Sequence, residues 1–297
     1  MRGMSYKEYK KHRFMTRELI LSPWLTESSL NMIYAWRGVG KTYVSLEIAY
    51  AVASGGRFIN WVAKNPLGVL YIDGEMPGDI LQSRFANIER NSDKPEPEDL
   101  IIYGISNEEN TIIPDLATLE GQQIIDEWIL PTTKLIIIDN LSCLVRSGGS
   151  ENDAESWRLL SNWALQKRIQ GKSIIFIHHS GKDGSQRGTS KREDILDTVI
   201  SLKHPYDYEP SQGARFEVHF EKCRHLYGEN VKPFIAQLVS NNDSYRWEIS
   251  SITQSTRRQI VSMSQNGMNN SEIARDLGIS RQAVHKQLKK AREENLL

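Results

Sequence analysis

Residues 35 to 42 read AWRGVGKT, a glycine-rich stretch closing on lysine and threonine, preceded by the apolar run LNMIYA and followed by a helical pattern from Lys41. Residues of these types at this spacing suit the holding of a chain of phosphates. Gly38 and Gly40 can take positive φ, so the backbone can wrap a phosphate and aim its N–H groups at it from a helix N-terminus, where the dipole favours anions. The cradle as read spans Arg37, Gly38, Val39, Gly40, Lys41, Thr42 and Tyr43. Lys41 would neutralise the β- and γ-phosphates of ATP, and the Thr42 hydroxyl would ligate Mg²⁺. The usual first glycine of GxxxxGK[ST] is Ala35 here, which requires the loop to be entered in an ordinary extended conformation.

A phosphate cradle holds nucleotide without cleaving it, so the carboxylates matter next. VLYID (69–73) runs into Gly74-Glu75, and LIIIDN (135–140) ends in Asp139-Asn140. Ligands in open α/β sheets bind at the carboxyl ends of strands, so both acids should converge on the cradle. Asp139, an acid after four apolar residues, would hold a water in the Mg²⁺ shell. Glu75 would polarise the attacking water as general base, with Asp73 a weaker candidate. The plainer reading of Glu75 is a turn or capping carboxylate ahead of Met76-Pro77. SIIFIHH (173–179) ends in His178-His179. Neighbours on a strand point to opposite faces and no HExxH or cysteine cluster accompanies them, which argues against a metal site. One of the pair could sense the γ-phosphate, or could simply bond a loop carbonyl.

These residues need a sheet to position them. Nearly continuous apolar strands at 30–35, 69–73, 135–140 and 173–179 alternate with helical stretches at 41–54, 79–91 and 153–170, the pattern of a parallel sheet covered on both faces. After residue 195 the runs 197–202, 215–222, 234–239 and 245–249 follow closely with turn residues between them, which predicts antiparallel strands added at one edge. The fold class expected is α/β.

Composition fits a soluble globular chain: 297 residues, 39% hydrophobic and 25% charged, with 37 basic residues against 37 acidic. Apolar runs are too short for a membrane span, and the basic start lacks the apolar segment of a secretory signal. Two cysteines give no disulfide framework. The expectation is a cytoplasmic protein without membrane association. The balanced charge is unevenly placed: residues 1–20 carry six basic residues against two acidic, and 256–297 carry eight against four, around an acidic middle. Basic ends are compatible with nucleic-acid contact or with solvated surface.

The ordered set MIYAWRGVGKT, YIDGEM, IIIDN, FIHHSGK, QRGTS and FEKCRH resembles the RecA-like hexameric helicases of the DnaB and plasmid RepA type, over about 21–250. The resemblance implies a P-loop at Gly38, Gly40, Lys41 and Thr42, a catalytic Glu75, a Walker B Asp139 and a sensor at His178 or His179. It further implies that Lys222 and Arg224, the KxR of a late strand, reach into a neighbouring subunit's nucleotide. Arg187 matches a position that is either a second arginine finger or part of a DNA-facing loop. A trans finger makes hydrolysis depend on a ring, whereas a surface salt-bridge pair is the plainer reading of Lys222 and Arg224. The glycine-rich loop 180–194 would line the central channel, where Lys182, Arg187, Lys191 or Arg192 could track single-stranded DNA; a plain solvent loop is the alternative.

The tail carries its own signal. Ile273 with Leu277, and Val284 with Leu288, are i,i+4 pairs on two short helices, with Asn270 and Ser280 as caps and a turn at Gly278-Ile279-Ser280. This resembles the helix-turn-helix of resolvases and transcription regulators. It implies that Arg281, Gln282, His285 and Lys286 lie near base edges of duplex DNA and that Lys289 and Lys290 lie near phosphates. The organisation expected is a basic arm at 1–20, a RecA-like ATPase domain at 21–250 and a helix-turn-helix domain at 251–297. The function expected is an ATP-hydrolysing, hexameric DNA helicase or translocase replicating a plasmid, phage or other mobile element. The alternatives are a nucleotide-switched, non-translocating DNA-binding ATPase and, less well matched to the tail, a small-molecule kinase.

Overall fold

The computed structural model describes residues 3–14, 16–105, 113–146, 154–181, 193–241 and 244–293. In chain order the elements are α1 (Tyr6–Lys11), β1 (Leu19–Leu21), β2 (Leu25–Thr26), β3 (Leu30–Ala35), α2 (Lys41–Ser54), β4 (Arg57–Phe58), β5 (Trp61–Val62), β6 (Gly68–Pro77), α3 (Gly78–Arg90) and β7 (Leu100–Ile105). There follow α4 (Leu119–Trp128), β8 (Thr133–Asp139), α5 (Leu141–Leu144), α6 (Ala154–Ile169), β9 (Ser173–His179), β10 (Thr198–Lys203), β11 (Arg215–Cys223), β12 (Phe234–Asn241) and β13 (Ser244–Ser251). The tail forms α7 (Ile252–Gln265), α8 (Asn270–Asp276) and α9 (Arg281–Glu293).

One sheet organises the first part, in the order β13-β12-β11-β10-β3-β9-β8-β6-β7. Its apolar strands are unbroken because both faces are covered. Along β8, Leu135 and Ile137 join the core beneath α2 and α3, whereas Ile136 and Ile138 join the core beneath α4, α5 and α6. That is the period-2 alternation of a strand with no solvent face. Helix α2 is buried along almost its whole length, so it lacks a polar stripe and reads as apolar all round.

The predicted antiparallel edge is present as β11, β12 and β13, with one correction. β10, expected in that antiparallel group, pairs parallel with β3 (Val199 with Met32, Ile200 with Ile33) and antiparallel with β11. It returns from β9 by a crossover rather than a hairpin, and a crossover preserves direction. Strand β7, helix α4 and the short pairs β1–β2 and β4–β5 carry no clear pattern in the sequence. β7 is the sheet edge and leaves Ile101 and Ile102 partly exposed.

Glu47 on α2 is buried beneath β13, its Oε1 accepting from Trp247 Nε1 at 2.8 Å and from the Tyr245 hydroxyl at 3.4 Å. Burial pushes its carboxyl from 4.5 up to about 7 despite those bonds. An acid raised in the folded state binds more protons folded than unfolded, so its contribution to stability declines as pH rises across that interval. Glu47→Gln keeps the accepting oxygen and removes the ionisation. Thermal melts should show the variant more stable than wild type at pH 8, by up to about 3 kcal/mol, and equal to it at pH 4, below the unfolded value of 4.5.

The tail is a three-helix unit around Ile260, Ile273, Ala274, Val284 and Leu288. Ser251 ends β13 and caps α7 through Gln254 N–H, so the strand runs into the first tail helix without a break. The cap of α8 is Asn269, not Asn270: Asn269 Oδ1 accepts from the N–H groups of Ser271 and Glu272, which places Asn270 inside the first turn. Ser280 caps α9 as expected, accepting from Ala283 N–H at 3.1 Å. No helix among the described residues is long and apolar enough to cross a membrane.

Candidate functional site

β3 delivers the chain to Ala35 in extended conformation, so alanine is tolerated where the usual motif has glycine. The loop then turns with φ of 80° at Gly38 and 116° at Gly40, and α2 begins at Lys41. At Gly40 the positive φ disfavours any side chain, and a Cβ would also sit tightly against the Phe216 ring, at 3.3 Å. Val39 packs into the core, leaving only its backbone for a phosphate. Lys41 Nζ donates to the carbonyls of Ala35 and Trp36, 3.1 Å each. Burial lowers the ammonium to about 8, against the pull of Asp139 and Glu75.

The two acidic strand ends meet as predicted, Asp73 and Asp139 being register partners on β6 and β8. They have different surroundings. Asp139 Oδ2 accepts from the Ser45 and Tyr71 hydroxyls, 2.8 Å each; burial pushes the carboxyl up while these bonds and Lys41 pull it down. Thr42 and Asp139 both border the cleft and are hard oxygen donors, a set suited to Mg²⁺. Asp73 Oδ1 accepts from the N–H groups of Glu75 at 2.8 Å and Met76 at 2.6 Å, and burial with the neighbouring Asp139 raises it to about 7. Asp73 therefore holds the turn, and Glu75 is the acid that stands out of it, with its side chain 61% exposed. Asn140 Nδ2 donates to Glu75 Oε2, and His179 Nε2 lies 3.9 Å from the same oxygen.

Strand alternation separates the two histidines. His179 borders the cleft, whereas His178 is fully buried and does not. The cleft, about 450 Å³, is closed on its other side by α3. There Arg84 lies with its guanidinium 4.7 Å over the Tyr43 ring, which places a further cation at the phosphate cradle. Arg84 belongs to no short motif, and Asn140 ends IIIDN with no role read for it from the sequence. The available clue is positional: α3 starts three residues after Glu75, and α5 two after Asp139, so the N-terminal half of α3 and the cap of α5 edge the cleft.

Lys222 and Arg224 do not border this cleft. Lys222 Nζ donates to the Glu193 carbonyl, and Arg224 Nη2 to the Asp194 carbonyl at 2.6 Å. Lys182, Arg187, Lys191 and Arg192 lie outside the described residues. On α9, Val284 and Leu288 face the core, while Arg281, Gln282, His285, Lys286, Lys289 and Lys290 are all exposed. That leaves the helix with a polar, basic outer face.

Residues 255–294 match the family model of sigma-70 region 4. Among solved structures the fold is similar to a KaiC-like protein from the hyperthermophilic archaeon Pyrococcus horikoshii OT3, at 14% identity and TM-score 0.52, over 75% of this chain and 90% of that one. It is also similar to the ATPase domain of G40P, at 14% identity and TM-score 0.50, over 73% of this chain and 84% of that one. A search of curated proteins gave no match. The sheet is that of a RecA-like P-loop ATPase carrying a C-terminal helix-turn-helix region, and with residues 5–185 matching the AAA domain model the chain belongs to the AAA domain family.

Proposed function

We propose that this protein hydrolyses ATP with Mg²⁺ and couples hydrolysis to movement along DNA as a ring, a hexamer by its resemblance to DnaB- and RepA-type helicases, in replication of a plasmid, phage or other mobile element. The observation that carries the reading is the convergence of phosphate-binding, metal-binding and base residues at one cleft. Lys41 and Thr42 come from the P-loop, Asp139 from β8, Glu75 from the end of β6 and His179 from the end of β9. In this reading Thr42 and Asp139 hold the metal, Glu75 polarises water, and His179 and Arg84 face the γ-phosphate. A bound Mg²⁺ would supply neutralisation of charge on the transferring phosphoryl group. The helix-turn-helix would seat the protein on duplex through the exposed face of α9, with Arg281 and Gln282 toward base edges and Lys286 and Lys289 toward phosphates.

One observation favours the second reading, a nucleotide-switched DNA binder. Phe216 packs on Gly40 of the P-loop, and its neighbour Arg215 is paired with Asp207 at 2.9 Å and reaches Ser255 of α7 at 3.4 Å. The phosphate cradle and the DNA-facing unit thus share adjacent residues of β11.

Steady-state ATPase with and without single-stranded DNA separates the two. The motor reading expects strong stimulation by single strands, absent in Lys41→Ala. Slow hydrolysis indifferent to single strands, together with duplex affinity that changes with nucleotide, would replace it with the switch.

A further inference from the structure

We infer that Asn140 is the positioning residue that aims Glu75 at the attacking water; the inference rests on the reading of Glu75 as the base. Asn140 is 1% exposed and sits at the junction of β8 and α5. Its Oδ1 accepts from Cys143 N–H at 3.3 Å and so caps α5. With the oxygen engaged by a donor, the amide nitrogen is the end turned to Glu75, where it donates to Oε2.

The contact matters because of how Glu75 is otherwise held. Asp73 fixes its backbone N–H, but that bond leaves three side-chain torsions to solvent, and an exposed glutamate visits many rotamers. His179 at 3.9 Å is beyond hydrogen-bond reach of the carboxylate. A buried, capped amide gives one carboxylate oxygen a fixed anchor and leaves the other to meet water. Chemistry of this kind depends strongly on such aim, since a displacement of about 1 Å can cost ~10²-fold in rate.

The approach of α5 to the turn has its own provision in the sequence. A Cβ at Gly74 would lie 2.8 Å from Leu144 Cγ and 3.0 Å from Cys143 Cβ. Glycine between Asp73 and Glu75 therefore lets α5, and with it Asn140, lie against the turn that carries the base. This ties YIDGE and IIIDN into one unit: Asp73 sets the turn, Gly74 admits α5, and Asn140 holds the carboxylate.

The test uses the full-length chain with Asn140→Ser and Asn140→Asp. Both substitutes are good helix caps, so α5 keeps its N-terminal bond. Serine is too short to reach Glu75, and aspartate sets a like charge against it. Hydrolysis at saturating ATP, affinity for a non-hydrolysable ATP analogue and thermal midpoint are measured together. Asn140→Ser should lose roughly 10- to 100-fold in kcat, with analogue affinity and thermal midpoint unchanged, and Asn140→Asp should lose at least as much. Wild-type rates in Asn140→Ser, or a loss of analogue affinity in step with rate, would overturn the inference. Should the serine variant not fold, the aspartate variant decides by the same split between rate and affinity. Glu75→Gln is run alongside: if it hydrolyses ATP normally, the base assignment has failed, whereas an inactive Glu75→Gln with a fully active Asn140→Ser removes Asn140 alone.

Discussion

Glu75→Gln is expected to bind ATP about as tightly as wild type and to hydrolyse it ~10²- to 10⁴-fold more slowly. Lys41→Ala is expected to lose both properties. Lys41 and Glu75 do different work at the cradle, and the variants separate hydrolysis from binding. Lys41 is already buried, with its ammonium lowered to about 8 and spending two hydrogen bonds on the carbonyls of Ala35 and Trp36. Phosphate oxygens are far stronger partners for an ammonium than carbonyls, and their charge would hold the lysine protonated, so its removal strikes ground-state binding. Glu75 instead stands in the cleft on a turn fixed by Asp73, where its carboxylate acts on Lys41 through charge. Removing its charge while keeping its shape withdraws the proton acceptor and leaves the phosphate donors of the P-loop in place. Equilibrium binding of a fluorescent ATP analogue and single-turnover hydrolysis would check both halves. A Glu75→Gln variant that hydrolyses normally would move the base to Asp73, whose carboxyl is raised to about 7.

Much of this site is legible in the sequence because its parts are local. The P-loop is eight consecutive residues whose glycines are demanded by positive φ, and the acids sit at the ends of strands that announce themselves as unbroken apolar runs. Alternation along β9 separates His178 from His179, although the sequence alone leaves open which of them faces the nucleotide. What it hides depends on contacts between distant segments. Ser45 and Tyr71 bond each other and converge on Asp139, Arg84 is placed by the ring of Tyr43, and Asn140 finds Glu75 because Gly74 admits α5. Ser45 and Arg84 lie outside the motifs, and Tyr71, Gly74 and Asn140 lie inside YIDGEM and IIIDN with nothing in the spacing to say what they touch. The direction of β10 escapes for a related reason: its closeness in sequence to β11 suggests a meander, but the crossover from β9 fixes it parallel to β3. The cap of α8 is ambiguous from sequence because Asn269 and Asn270 are chemically identical candidates. Only the frame of the helix, set by Ile273 and its packing on Ile260 and Val284, chooses between them.

Arg224→Ala is expected to lower kcat by ~10³- to 10⁵-fold, the range for an arginine that stabilises charge on a transferring phosphoryl group, while leaving the fold intact. Its side chain lies at the end of β11, exposed, bonded to a loop carbonyl and outside the cleft of its own chain. As a partner in a surface ion pair it would contribute only about 0–1 kcal/mol to stability and nothing to rate. Lys222 beside it is held on the Glu193 carbonyl in the same way, and burial together with the neighbouring guanidinium lowers its ammonium. Two cations two residues apart, each bonded to a carbonyl oxygen, are of the type that binds phosphate, and a nucleotide carried by an adjacent subunit would provide it. The mixing experiment distinguishes this from a role within one chain. Arg224→Ala retains an intact Glu75 but offers no finger; Glu75→Gln is inactive at its own cleft yet still carries Arg224. If the finger acts in trans, mixed rings contain sites with Glu75 from one subunit and Arg224 from the next, and hydrolysis reappears on combining two inactive proteins. If Arg224 served its own cleft, every site in the mixture would still lack one of the two groups, and the mixture would stay as slow as its components.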